Sequence, residues 1–528
     1  MKKKYIIVFL LSFFVTATFA LVTDHRWEDW YITYRASKNL AIGNGLTFTK
    51  GERVHSFTSP INTLLPAAFA YVFDSNPDEY AVWLYRFVNA LVIGFCGVLL
   101  IRISSLLKLS EIAGYFLLAL FLTNTLIIDN SINGMEAPYM ILFLLILIEN
   151  LFKHENSSKA GYIIAFTGLM YTRPDGFIYA GSLITGYFAF HTNFRDLSSQ
   201  WPQVKKIFWA VSLSILLYAP WTVLTWIYYG SPIPHTIIAK GNIKTYDLLY
   251  ILQNFLLFPY KVLTKQSSIV QLFTPAYAYF GGWHKMHIPG MVVSIISALI
   301  FFIPVFPRAA RSLSSSIYLC DFYLTYISGQ EGMPWYLPNI IIQVIIAAAI
   351  TFHYLSLQFN SKMVSAAAMT FIAFNIAVIS LGAYEMRIQQ KVIEYGNRKK
   401  IGLWLKSHSK SEKSTVFMEC LGYIGYFSQL KTYDYPGMSS PEVVKTIKEL
   451  KGKNNYANII DKLSPEWLVL RPEECIKVNA DLPDLLLSKY ILVKTFDVRQ
   501  DIPKNWYLFG KEYLYFDALF YVYQRKKL

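Results

Sequence analysis

Residues 5–45 read YIIVFLLSFFVTATFALVTDHRWEDWYITYRASKNLAIGNG, and the first half of that stretch decides the fold. Tyr5 to Val22 carry no charge and approach the roughly 20 residues that cross a hydrocarbon core about 30 Å thick. Lys2, Lys3 and Lys4 come first, which by the positive-inside rule starts the chain in the cytoplasm. A basic start, an apolar middle and small residues near Ala20 also fit a secretory signal, and either reading sends Asp24 onward out of the cytoplasm. The many apolar runs that follow favour an uncleaved first helix.

The same criterion marks about eleven spans, near 5–22, 82–104, 112–128, 136–152, 159–172, 177–191, 207–228, 288–306, 313–328, 335–357 and 363–384. Alternation places Lys108, Lys153 with Lys159, Lys205 with Lys206, Arg308 with Arg311, and Lys362 inside. The N-terminus is then cytoplasmic, and an odd number of spans leaves the C-terminus outside. With 54% hydrophobic and 17% aromatic residues in a chain of 528, this is a polytopic α-helical membrane protein, not a soluble enzyme. The net charge of +15 calls for no nucleic acid, because its clusters fall where topology expects them.

Residues 1–384 therefore read as a transmembrane module with two outer loops, 24–80 and 229–287. SPINTLLPAAFAYVF, interrupted by Pro60 and Pro66, reads as an interfacial or re-entrant segment. From residue 385 to 528 the composition is that of a small soluble α/β or α+β domain. Ser440 followed by Pro441 caps a helix there, while WLVL, YILVKTF and YLYFDALFYVYQ are rich in strand formers. Cys96 and Cys320 fall in apolar segments and read as small hydrophobes, whereas Cys420 and Cys475 leave disulfide and free thiols both open.

The chemistry gathers on the outer side. Glu28 and Asp29 open a segment in which three- and four-residue spacing puts Tyr31, Arg35 and Lys38 on one helical face. Acid and cations are expected to line one small region, against the plainer reading of a solvated interfacial helix. Glu136 in NGMEAPYM and Arg173 with Asp175 in YTRPDGF lie at outer ends of spans, where charge is costly and hence a functional candidate. The plainer alternatives are a helix cap for Glu136 and a local ion pair for the other two. GSPIPHTIIAK offers His235 and Lys240 in an ordered loop, Lys240 being the better phosphate ligand.

In this order the pieces resemble the integral-membrane, polyprenyl-phosphate-sugar-dependent glycosyltransferases of the GT-C fold, in particular the group around the mycobacterial terminal arabinofuranosyltransferase and related bacterial envelope enzymes. EDWYITYRASKNLAIGNGLTFTKGERVHSFTSP matches their acidic pair, aromatic and basic helix, Gly-x-Gly and later glutamate, here Glu52. NGMEAP is similar to Gly-Leu-Glu-Thr/Asn-Pro, YTRPDG to Thr/Ala-Arg-Pro-Asp-Gly, and SPIPHTIIAK to Leu-Pro-Asn-Thr-x-x-Ala-Lys. ECLGYIGYFSQLKTYDYPGMSSPEVV looks like the opening of their outer C-terminal domain. Two positions depart: Glu28 stands where the family has Asp, and His235 where it has Asn.

The resemblance implies a sugar moved from a polyprenyl-phosphate donor to an envelope glycan, glycolipid or lipopolysaccharide acceptor at the outer face of the bacterial plasma membrane. Asp29 is expected to act as general base, worth about 100- to 10,000-fold in rate. Arg35, Arg173, Lys240 and His235 are expected to hold the donor phosphate. Tyr31, Glu52, Glu136 and Asp175 are expected to bind substrate or serve structure. Glu28 is left to orient acceptor, bind metal or support Asp29; no cofactor is required, and a divalent ion between the two acids stays open. Direct displacement implies inversion. A transporter or flippase for lipid-linked sugars and a non-catalytic envelope assembly protein are the rival readings, the first disfavoured by charges gathered on one side and no evident repeated halves.

Overall fold

The computed structural model describes residues 2–526 apart from 74, 193–196, 241–246, 265–266, 284–285, 329–332, 412 and 451–454. Packing divides the chain into two units: residues 1–23, 86–220 and 244–384 form one, and residues 24–85, 221–243 and 385–528 the other. Composition alone drew its boundary at 384. Composition follows the solvent a segment meets, whereas this division follows which segments touch, and it groups the first loop with the C-terminal residues.

Among the described residues five helices are long and apolar enough to cross a bilayer: Lys2–Thr23, Pro77–Leu106, Trp201–Tyr229, Pro334–Gln358 and Ser361–His408. A sixth is added if Glu111–Thr123 and Thr125–Ile132, bent by 53°, count as one span. The chain is thus a multi-pass membrane protein, and the other segments read as spans from hydropathy form shorter helices among the described residues. Ala137–Phe152, Lys159–Thr172 and Gly176–His191 have 16, 14 and 16 residues. At 1.5 Å per residue the longest of these reach about 24 Å, short of a core of about 30 Å. Ile288–Leu299 and Arg308–Phe322 likewise stop early, continuing as short 3₁₀ and π turns.

Hydropathy counts apolar residues and does not see a cap placed inside an apolar run. Asn124 is such a cap, its side chain accepting from the Ile127 N–H at 3.0 Å and donating to the Leu272 carbonyl at 2.8 Å. The carbonyls freed where Thr125–Ile132 ends are taken up by Asn89, which donates to Ser131 at 3.1 Å, and by Arg86, which donates to Ile132 at 2.9 Å. That is how lipid-depth backbone tolerates a break. Close approach elsewhere relies on small residues, as where Gly94 and Gly97 meet Phe9 and Ser12 of the first helix with no room for a Cβ.

The second unit holds a five-stranded sheet of β1 (Thr415–Met418), β2 (Lys431–Asp434), β3 (Trp467–Leu470), β4 (Tyr490–Asp497) and β5 (Leu519–Arg525), in the order β2-β1-β3-β5-β4. β1 runs parallel to β2 and β3, and β5 antiparallel to β3 and β4. Parallel neighbours need crossovers. Helix Gly422–Ser428 makes one; Pro441–Glu449 and Tyr456–Leu463 make the other. WLVL and YILVKTF form strands as expected, and Ser440 caps its helix by accepting from the Val443 N–H at 3.4 Å. YLYF differs, folding as the helical turn Lys511–Phe516 that ends just before Asp517.

All four cysteines are buried thiols. Cys420 is engaged by two arginines and Cys475 lies 3.7 Å from the Tyr523 hydroxyl, which settles their pairing against a disulfide.

Candidate functional site

The segment beginning at the acidic pair is a helix, Glu28–Ala41, whose first turn carries both carboxylates where the helix dipole favours them. At 3.6 residues per turn, Tyr31, Arg35 and Lys38 lie roughly 120° to 180° around the axis from Asp29. That face packs on helix Gly422–Ser428. The Tyr31 ring sits 4.5 Å from Tyr423 and 4.8 Å from Tyr426. Arg35 donates to the carbonyls of Gly425 at 2.8 Å and Leu430 at 3.2 Å, its guanidinium 4.3 Å over Phe48. Lys38 pairs with Asp78 at 2.6 Å and donates to the Tyr426 hydroxyl at 3.1 Å. The expectation that Asp29 and these cations line one small region is therefore corrected: residues sharing a face with one another do not share it with Asp29.

Glu28, about 100° from Asp29 around the helix, turns the same way as Arg35. One carboxylate oxygen accepts from the Gly422 N–H at 3.2 Å and the other lies 3.4 Å from Arg398. Gly422 has to be glycine here, because any Cβ would run into the Glu28 carbonyl and side chain. Arg398 also pairs with Glu394 at 2.8 Å and with Asp517 at 2.6 Å. Asp517 in turn accepts from Arg471 at 2.7 Å, and Arg471 holds Glu474 at 2.9 Å and Glu419.

Two guanidiniums thus serve five carboxylates. Burial pushes Glu28 up to about 8, Arg398 pulling the other way. Burial also opposes ionisation of Asp517, yet Arg398 and Arg471 hold it below the usual carboxylate range. The network occupies the ends of β1 and β3, the point from which the chain departs to opposite sides of an open sheet and where such sheets commonly bind ligands. Most of its partners lie far apart in sequence, the local pairs being Glu394 with Arg398 at i,i+4 and Arg471 with Glu474 at i,i+3.

The remaining candidates divide between the units. Asp29 is half-buried, in the second unit. Glu52 accepts from Lys431 at 2.6 Å, and Lys431 also binds Glu442 at 2.5 Å. His235 donates its backbone N–H to the His55 carbonyl at 2.8 Å. Burial lowers its imidazole pKa, opposed by Asp434 and the carbonyls of Ser440 and Gly437. Lys240 ends the short helix His235–Lys240 and is exposed. Glu136, Arg173 and Asp175 belong to the first unit and form a cluster of their own. Arg173 takes Asp175 in its fork at 2.9 and 3.1 Å, takes Glu136 at 2.6 Å, and lies over Tyr336. A phosphate would find that guanidinium already surrounded by two carboxylates.

Some site residues were not singled out from sequence. His55 stacks on Tyr229 with ring centres 4.6 Å apart, and burial lowers its pKa to about 4. Tyr229 donates to the Leu46 carbonyl at 2.5 Å, while the Tyr228 hydroxyl accepts from the Leu46 N–H at 3.2 Å. Gly45, at φ +86°, lets Tyr228 approach that closely. The aromatic pair at the end of its span was the available signal. Among the described residues no three or more His, Cys, Asp or Glu side chains are grouped to hold a metal ion.

A family described as a domain of unknown function, DUF8728, matches residues 382–516. Over 247 residues the chain is 29% identical to the terminal beta-(1->2)-arabinofuranosyltransferase of Corynebacterium glutamicum. That match takes in 41% of this chain and 33% of the relative, so the chain spans about a third of that protein's length. Among solved structures, ArnT from Cupriavidus metallidurans bound to undecaprenyl phosphate matches with a TM-score of 0.52 at 12% identity, over 99% of this chain and 98% of that one. The arabinofuranosyltransferase AftD from Mycobacteria gives 0.47 at 13% identity, over 100% of this chain and 40% of that one. The chain shares the fold of the first, and its resemblance to GT-C-fold proteins of the arabinofuranosyltransferase kind holds.

Proposed function

We propose that this chain is a membrane glycosyltransferase that moves a sugar from a polyprenyl-phosphate donor to an envelope glycan or lipopolysaccharide acceptor at the outer face of the bacterial plasma membrane. The observation that carries the reading is the helix Glu28–Ala41. Its aromatic and basic face is spent on packing and Glu28 is held by Gly422 and Arg398, while Asp29 stands about 100° further round the helix, on a different side from both. The relative named as an arabinofuranosyltransferase supports the reaction class, and the structural neighbour solved with undecaprenyl phosphate supports the donor class.

In this reading Asp29 takes the proton from an acceptor hydroxyl as that oxygen attacks the anomeric carbon. The bond from that carbon to the phosphate oxygen breaks on the opposite side, giving inversion, and the phosphate departs as an anion that needs positive charge rather than a proton. Lys240 is the cation assigned to it, with His235, whose imidazole burial favours as neutral, assigned as a hydrogen-bond partner. Arg35 leaves that assignment because its face is turned away from Asp29, and Arg173 is assigned to holding the turn between its two helices through Glu136 and Asp175. No step is routed through a metal.

The test is Asp29→Asn in purified protein in detergent, given a polyprenyl-phosphate sugar and an acceptor glycan. Transfer by the parent and none by the folded variant is the expected result. Unchanged transfer by the variant would remove Asp29 from the reaction, and the absence of a membrane barrier in that assay separates transfer from transport.

A further inference from the structure

A cavity of about 530 Å³ lies in the second unit, away from the face of the helix that carries Asp29. Arg35, Lys38, Lys50, Lys406 and Lys413 line it, and no carboxylate does among the described residues. Asn44, Thr49 and Gln429 add side chains that hydrogen-bond, and Tyr426 contributes an aromatic wall. Lys38 is answered by Asp78. Arg35 is answered in contact by two carbonyls and the Phe48 ring, with Glu52 acting on it only from beyond ion-pair distance. It is 3% exposed, its Nε has no partner among the described residues, and burial lowers its pKa to about 10. A buried guanidinium with no carboxylate in contact is costly unless an anion completes it.

We infer that this cavity binds a phosphate-type oxyanion carried on a larger molecule, with Arg35 at its floor and Lys50, Lys406 and Lys413 at its mouth. The volume is several times that of a phosphate alone and falls in the range of ordinary ligand pockets, which leaves room for the sugar or glycerol unit that bears the charge. Arg35 keeps its two carbonyl bonds and presents its remaining N–H, while the lysines, exposed and mobile on four-carbon stems, close around an oxyanion as point charges. The chemistry is the same whether the phosphate sits on a glycan or on a lipid headgroup. The site is separate from the transfer reaction proposed above and is tested without it.

The experiment uses the full chain in neutral detergent with glucose 1-phosphate, inorganic pyrophosphate and glucose as probes, read by thermophoresis at low and high salt. The triple variant Lys50→Gln, Lys406→Gln, Lys413→Gln changes only exposed side chains, so its folding is checked by an unchanged thermal midpoint. A second arm compares thermal midpoints of parent and triple variant in nanodiscs of phosphatidylglycerol and of phosphatidylcholine. Saturable, salt-sensitive binding of glucose 1-phosphate and pyrophosphate but not glucose, weakened about tenfold or more in the variant, supports the site with a glycan phosphate as source; tenfold is the loss of one charge-assisted hydrogen bond. A stabilisation by phosphatidylglycerol that the variant loses, with no binding of the soluble probes, supports it with a lipid headgroup as source. If neither arm distinguishes the variant from the parent, the inference is overturned.

Discussion

Replacing Glu28 by Gln isolates one carboxylate of the acidic pair without removing its hydrogen bond, because the amide oxygen still accepts from the Gly422 N–H. The folded protein holds this carboxyl protonated up to about 8, against an ordinary value of 4.5. Between those two values the folded state binds a proton that the unfolded chain has released, so stability falls as pH rises through that window and levels off above it. At about 1.36 kcal/mol per pH unit the whole gap has a ceiling near 5 kcal/mol. The side chain is 21% exposed, and solvent screening lowers the expected effect to about 2–3 kcal/mol. Gln carries no such penalty.

Chemical denaturation of parent and variant followed by tryptophan fluorescence, from pH 5 to pH 9, measures the difference. It is expected to lie within about 1 kcal/mol at pH 5 and to grow to about 2–3 kcal/mol in favour of the variant at pH 9. Using the difference between the two proteins cancels the other titrating groups. A difference that does not change with pH, or a variant that becomes less stable than its parent as pH rises, would show that Glu28 is charged in the folded state and would refute the reasoning. Sugar transfer by the variant is expected to persist, in contrast to Asp29→Asn.

Arg398→Met strands Glu394 and Asp517 beside Glu28, and a loss of about 3–5 kcal/mol is expected by the same denaturation measurement, as for removal of one partner from a buried ion network. Gly422→Ala forces a methyl group into the Glu28 backbone, and a loss of about 1–3 kcal/mol is expected, with no rescue when it is combined with Asp29→Asn. His55 is held neutral down to about 4, so the unfolded chain binds the extra proton between that value and about 6.5 and the parent loses stability as pH falls through this window. His55→Phe keeps a ring to stack on Tyr229 and is expected to flatten that part of the pH profile of thermal midpoints.

The sequence displayed elements more readily than partners. The helix from Glu28 could be read because its period is local, and WLVL and YILVKTF because β-branched and aromatic residues cluster in them. β1 and β2, TVFM and KTYD, have four residues each, too few for a pattern to stand out. The face carrying Tyr31, Arg35 and Lys38 was visible, but what covers it comes from Tyr423, Gly425 and Tyr426, almost 400 positions later. The same distance hid the destination of Glu28. Arg398, Arg471 and Asp517 looked like ordinary charges of a soluble segment, since the nearby acids Glu394 and Glu474 have the spacing of common surface pairs and the partner that joins them, Asp517, is distant. Asn124 inside an apolar run and the short helices after Glu136 are where the apolar runs read from sequence and the long helices part.

Tyr423 and Tyr426 project from helix Gly422–Ser428 onto Tyr31, and Glu28 closes over Gly422 beside them. A chain cut near residue 385 and expressed by itself would keep its sheet while losing the cover over those rings. It would expose an apolar, aromatic surface and leave Arg398 short of one carboxylate. Self-association or capture by detergent micelles is the expected fate of such a fragment, and restoring solubility would require adding back the helix Glu28–Ala41 as a separate peptide. The C-terminal sheet is in this sense half of a complementation pair whose other half is supplied from the opposite end of the chain.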